Sequence, residues 1–130
     1  MRNRSHHPRG ELSLRVVAMQ SEGDPAGNIR HEWTKYLMDQ AAVVTAEARA
    51  RGRVATAVVS NLSFVQTARV GDVICVYTKI TKIGRTSIAV GVEVYALRRD
   101  LQEQIRVTAA EFVVVAVDDD GLPRALSVAA

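Results

Sequence analysis

The chain has 130 residues, the size of one domain around a single core, and with 48% of them hydrophobic and a mean hydropathy of +0.02 it is not a disordered, solvating polymer. No apolar run reaches the roughly 18–20 residues that cross a bilayer, and Met1–Glu11 lacks the apolar core of a secretory signal, so the expectation is a cytoplasmic protein with no membrane partner. The net charge of +3 belongs to Arg2, Arg4 and Arg9; with these set aside, basic and acidic residues are equal in number and aromatic residues are few, which argues against a nucleic-acid surface.

Met1–Gly10 reads as a flexible basic arm, residues 11–126 as the domain and residues 127–130 as a tail. Leu12-Ser13-Leu14-Arg15-Val16 alternates apolar and polar as a half-buried strand does. The segment Gln20–Gly27, with Gly23, Asp24 and Pro25, is a loop. From Ile29 to about Ala50 the sequence has neither Gly nor Pro, and Trp33, Leu37, Ala41, Val44 and Ala48 recur at helical spacing. Asn28 is the expected N-cap and Gly52 the stop. A second stripe, Tyr36, Met38, Ala42, Val43 and Ala46, predicts a helix enclosed around much of its girth.

Val54–Ser60, Asp72–Ile83, Thr86–Leu97 and Gln104–Val117 are strand-like runs rich in Val, Ile and Thr. Gly84-Arg85 and the polar stretch Arg98–Glu103 are hairpin connections, and Asp118-Asp119-Asp120-Gly121 is a turn. Strands of about a dozen residues must coil. Strand, long helix, then four strands therefore predicts an α+β chain in which a curved antiparallel sheet wraps a central helix, the hot-dog fold.

Asp39 stands out chemically. It lies in mid-helix among Leu37, Met38, Ala41, Ala42 and Val43, with no basic residue three or four positions on. It either faces a cavity, as a base does, or lies on an exposed strip beside Lys35. His31 is in the first helical turn, more than two turns away. No Ser-His-Asp or Cys-His set can be assembled. His6-His7 reads as a solvated pair, and no metal site or cofactor motif is present: Gly84 and Gly91 belong to no phosphate-binding pattern. Cys75, the single cysteine, reads as a small apolar residue in a strand and fits a reducing compartment.

From about Arg9 to Leu126 the chain resembles the short bacterial acyl-CoA thioester hydrolases of the hot-dog superfamily, the YciA type. The resemblance rests on Gly10-Glu11-Leu12-Ser13-Leu14-Arg15, on Trp33 with Met38-Asp39, and on Gly52-Arg53-Val54, Phe64 and Val70-Gly71-Asp72-Val73. Further along it rests on Gly84-Arg85-Thr86-Ser87, Glu93-Val94 and Ala116-Val117-Asp118, then Gly121 to Leu126. It implies hydrolysis of acyl-CoA without a cofactor, with Asp39 as general base and first-turn amides polarising the thioester carbonyl. It also implies an active site between subunits, with Thr56 and Ser63 near a partner's Asp39 in a homo-oligomer, a dimer or a trimer of dimers. Gly84, Arg85, Thr86, Ser87 and Arg124 would lie at the CoA nucleotide end.

Three positions depart from the family. His31 and Glu32 stand where a Gly-Gly pair is usual, and Ala26 where an Asn is common. His31 and Glu32 thereby become candidates at the catalytic centre beside Asp39, and the alternative to hydrolysis is a hot-dog protein that binds acyl-CoA without turnover.

Overall fold

The helical stripe and the four strand-like runs of the sequence become one helix and four long strands in the computed structural model, which describes residues 7–98 and 103–127. In chain order they are β1 (Glu11–Val17), α1 (His31–Ala50), β2 (Val54–Phe64), β3 (Val73–Ile83), β4 (Ser87–Arg98) and β5 (Glu103–Ala116), with a single 3-10 turn at Gln20–Glu22 before α1. All strand pairs are antiparallel, in the order β1-β3-β4-β5-β2. β1 and β2 are thus the two edges, and α1 lies on the inner face. This is the expected hot-dog arrangement.

Alternation sorts the strands. Ile88, Val90, Val92 and Val94 of β4, with Phe112 and Val114 of β5, turn inward and form the core with Leu37, Met38, Ala41, Ala42 and Ala46 of α1. The alanines let the helix lie close to the sheet, and longer residues at the same positions would overpack it.

Three local expectations are corrected. The helix starts at His31 with Arg30 in the cap position and no side-chain cap. Asn28 is unavailable because its side-chain oxygen accepts a hydrogen bond from Arg69 Nη1 at 2.9 Å and its backbone bridges to Arg69. The helix ends on Arg51 in a left-handed conformation (φ 56°), its backbone N–H donating to the Glu47 carbonyl at 2.7 Å, rather than on Gly52 itself. Gly52 leaves room for Arg124, whose Nη2 would lie 2.7 Å from a Cβ there and would have to shift. Nor is the helix enclosed all round: Tyr36 is 57% and Val44 58% exposed, because only one side of the helix meets the sheet.

Arg2, Arg4, His6 and residues 99–102 and 128–130, which include most of the expected β4–β5 connection and the tail, lie outside the described residues. At Arg9 the chain is already against the sheet, its amide donating to Glu93 Oε1 at 2.9 Å. The acidic run after β5 is a turn, with Asp118 Oδ1 accepting from the amides of Asp120 and Leu122. Among the described residues no helix is long and apolar enough to cross a membrane.

Candidate active site

Asp39 is half-buried on α1, on the side that faces β2. Thr56 Oγ1 donates to Asp39 Oδ1 at 2.7 Å. Thr56 reaches it because the inward-facing positions of β2 run antiparallel beside the helix, and Thr56 pairs with the inward-facing Val114. No other donor among the described residues reaches the carboxylate, and Lys35 does not pair with it. Oδ2 accepts no hydrogen bond from the described residues.

The other end of the same strand meets the start of the same helix. His31 stacks on Phe64 with ring centroids 3.8 Å apart and planes within 2°. Eight residues separate His31 from Asp39, about 12 Å along the axis, so the two contacts tie α1 to β2 at well-separated points. Glu32 is exposed and forms no ion pair among the described residues. One heptad ahead of Asp39, it lies on nearly the same strip of the helix. With no side-chain cap, the amides of His31 and Glu32 have no partner among the described residues, whereas those of Trp33 and Thr34 donate to the Arg30 carbonyl.

Thr56 thus meets the Asp39 of its own chain. Ser63 is not brought to Asp39; it is exposed, and its carbonyl accepts from Thr108 Oγ1 at 2.7 Å. Ala26 lies in a turn built on Asp24, its carbonyl accepting from Arg69 Nη2.

The Gly84-Arg85-Thr86-Ser87 turn and Arg124 gather at the opposite end of the helix. Gly84 N–H bonds the Ser87 carbonyl at 2.7 Å, and the carbonyls of Arg85 and Thr86 hold the amides of Leu126 and Ala116. Arg85 is exposed and lines a cavity of about 540 Å³ with Arg49 and Leu126. A neighbouring cavity of about 590 Å³ is lined by Arg49, Arg51 and Arg124. Arg124 donates to the carbonyls of Ala50 (2.9 Å) and Val117 (3.1 Å), so this side chain caps the C-terminus of α1. Arg49 and Arg51, absent from the sequence-derived set, complete a basic end; their signal was position in the last helical turn, where cations suit the dipole.

Cys75 is buried on β3, and burial pushes its thiol above the ordinary range while Arg15 opposes the shift. Cys75 lies apart from Asp39, on the strand next to the far edge.

A family model described as the thioesterase superfamily matches residues 35–102. The acyl-CoA thioester hydrolase YciA of Salmonella typhimurium is 38% identical over 124 residues, covering 93% of each chain. Two solved structures are similar in sequence and fold. The hexameric thioesterase of Yersinia pestis has a TM-score of 0.88 at 38% identity, covering 93% of this chain and 98% of that one. The hexameric hotdog-fold thioesterase of Campylobacter jejuni has a TM-score of 0.85 at 38% identity, covering 91% of each.

Proposed function

The chain belongs to the thioesterase superfamily, and from that premise we propose that it hydrolyses acyl-CoA thioesters to the free acid and CoA, with Asp39 as general base. The observation that carries the reading is the half-buried Asp39 carboxylate, held at Oδ1 by Thr56 and open at Oδ2. Asp39 takes a proton from water as the water oxygen bonds to the thioester carbon. The C–S bond of the resulting tetrahedral oxyanion then breaks, and the proton on Asp39 passes to the departing sulfur. The open amides at the start of α1 supply donors for the oxyanion, reinforced by the positive end of the helix dipole. His31 and Glu32 flank those amides, and Thr56 orients the base.

At the other end of α1, Arg85, whose side chain has no partner among the described residues, pairs with CoA phosphate oxygens beside Gly84, Thr86 and Ser87. Arg124 contributes there mainly by fixing the C-terminal segment. The site lies beneath β2, an edge strand, and pairing of β2 with a second copy supplies the missing wall. We propose an assembly larger than a dimer, as in the hexameric relatives.

Purified full-length protein is expected to hydrolyse members of an acyl-CoA series from acetyl to palmitoyl, and Asp39→Ala to lower kcat/KM at least about a hundredfold. Activity that survives the substitution refutes the mechanism. A second reading, acyl-CoA binding without turnover, rests on Glu32, whose carboxylate in the first turn opposes a developing oxyanion. CoA binding with no hydrolysis across the series selects it.

A further inference from the structure

Because α1 starts without a capping side chain, the place of its first amides is set by the chain that leads into it. This lead-in, residues 18–30, is mostly irregular, with one 3-10 turn, and the segment between β2 and β3 holds it. The two run antiparallel. Val70 N–H donates to the Gly27 carbonyl at 3.0 Å and Ile29 N–H to the Ala68 carbonyl at 2.8 Å, and between them Asn28 bridges to Arg69. The row ends at His31, whose ring lies on that of Phe64.

The holding segment is itself braced by charge. Asp72 is buried, and its Oδ2 accepts from Arg69 N–H at 2.8 Å and from Arg98 Nε at 3.2 Å. Arg98, the last residue of β4, also donates from Nη2 to the Thr67 carbonyl at 2.9 Å. Asp72 N–H closes a turn on the Arg69 carbonyl at 3.0 Å, and Gly71 within it has φ 95°, a conformation that side chains disfavour. A carboxylate with two donors and a guanidinium with two acceptors leave this turn little freedom. From it the exposed Arg69 side chain reaches outward: Nη1 donates to Asn28 Oδ1 at 2.9 Å and Nη2 to the Ala26 carbonyl at 3.2 Å, on either side of Gly27.

We propose that Arg69 is a positioning residue for the hydrolysis. Anchored through Asp72 and Arg98 to the end of β4, it holds the lead-in so that the unpartnered amides of His31 and Glu32 stand in a fixed place relative to Asp39. The inference rests on the hydrolytic reading above, in which those amides receive the oxyanion. Charge alone does not suffice, since a planar fork holds two acceptors at once and an ammonium on a flexible stem does not. Arg69 is exposed and its fork binds only the lead-in, so its loss loosens that segment while the sheet stays folded.

The test compares Arg69→Met and Arg69→Lys with the wild type, all full-length, by acyl-CoA hydrolysis, by CoA binding in calorimetry and by hydrogen exchange read by mass spectrometry without substrate. Arg69→Met should lower kcat roughly ten- to a hundredfold, as a misplacement of about an ångström does, with the Kd for CoA within about twofold of wild type. Exchange should quicken in peptides covering residues 26–34 and 65–72 and stay unchanged in β4 and β5. Arg69→Lys, which restores one donor, should recover part of the rate. An active wild type in which Arg69→Met leaves kcat or that exchange unchanged, or weakens only CoA binding, overturns the proposal and leaves the hydrolytic reading standing. A wild type that cleaves no acyl-CoA overturns the hydrolytic reading itself, and the role of Arg69 in turnover with it.

Discussion

Both edges of the sheet are tied to α1 through polar side chains, and the two ties are chemically different. On the β1 side a bulge turns Ser13 inward, where its hydroxyl bonds those of Thr78 and Thr45, and Thr45 bonds Thr78 at 2.7 Å. The three neutral hydroxyls satisfy one another and leave no charge to use. On the β2 side one hydroxyl, Thr56, meets one carboxylate, Asp39, and an oxygen of that carboxylate is left over. A closed neutral set holds a strand in register, whereas an open charged one can also move a proton. The edges differ outwardly too. β1 is short, with 7 residues, and carries Glu11 and Arg15, the devices that stop strands from pairing with neighbours. β2 has 11 residues and no charge, and exposes Val58 and Val59.

The largest expected effect breaks one tie and spares the other. Asp39→Asn keeps the shape and the Thr56 contact but removes the base, and should cost acyl-CoA hydrolysis about a hundredfold or more. Thr45→Val, the matching change on the β1 side, should leave kcat/KM within about twofold and instead lower stability by about 1 kcal/mol in urea unfolding. Equal losses of activity from both would show that Asp39 acts through packing alone.

Giving β2 the protection that β1 has is the next test. Val59→Lys places a charge on the uncharged edge and should convert the assembly to a form lacking the β2 pairing, seen as a smaller sedimenting species, with kcat/KM down by about tenfold (roughly 1.4 kcal/mol) because the site loses its second wall. A variant that keeps the wild-type mass would mean that β2 is not the pairing edge. Thr56→Val is gentler. It leaves the carboxylate in place without its donor, and a hydrogen bond to a charged group contributes about 1.5 kcal/mol, so kcat should fall roughly tenfold or a little less with KM nearly constant. Thr56→Ser, which restores a donor, should recover most of the rate. A loss confined to KM would place Thr56 in binding instead.

What could be read from the sequence follows from how local the cause is. The period of 3.6 in Trp33–Ala48 and the alternation along Thr86–Leu97 are local, and they marked the helix and the central strand. Which apolar side of the helix meets the sheet is not local, so Tyr36 and Val44 were placed inside and lie outside. The N-cap was misplaced because the side chain that occupies Asn28 comes from Arg69, 41 residues later. Asp39 is legible as an anomaly, an acid among apolar neighbours with no cation three or four residues after it. Its partner is legible only through the resemblance, which places Thr56 near the Asp39 of another subunit, since nothing short-range distinguishes Thr56 from the other strand threonines. Arg124 shows the converse: the resemblance places it at the CoA end, while its cap on the carbonyls of Ala50 and Val117 has no signal in the local sequence.

Cys75 offers the finest probe of the contrast, because it reports on the closed edge. It pairs in register with Arg15 of β1 and is buried. Burial disfavours its thiolate more than Arg15 favours it, so the thiol titrates above its unfolded value. A group whose acid dissociation is suppressed in the folded state contributes stability that is complete below the unfolded value, near pH 8.5, and that is lost as pH rises toward the folded one. Urea unfolding of the wild-type protein should therefore show a decline in stability above about pH 9 that Cys75→Ala reduces. At about pH 8 iodoacetamide should label Cys75 slowly in the native protein and rapidly in urea, because reaction requires both the thiolate and an opening of the covering structure at β1. Thr45→Val, by loosening the hydroxyl set that pins β1, should speed native labelling several-fold, while Thr56→Val on the other edge should not. Equal acceleration by both would mean that the sheet opens as one unit, and that the two edges differ in chemistry but not in how firmly they are held.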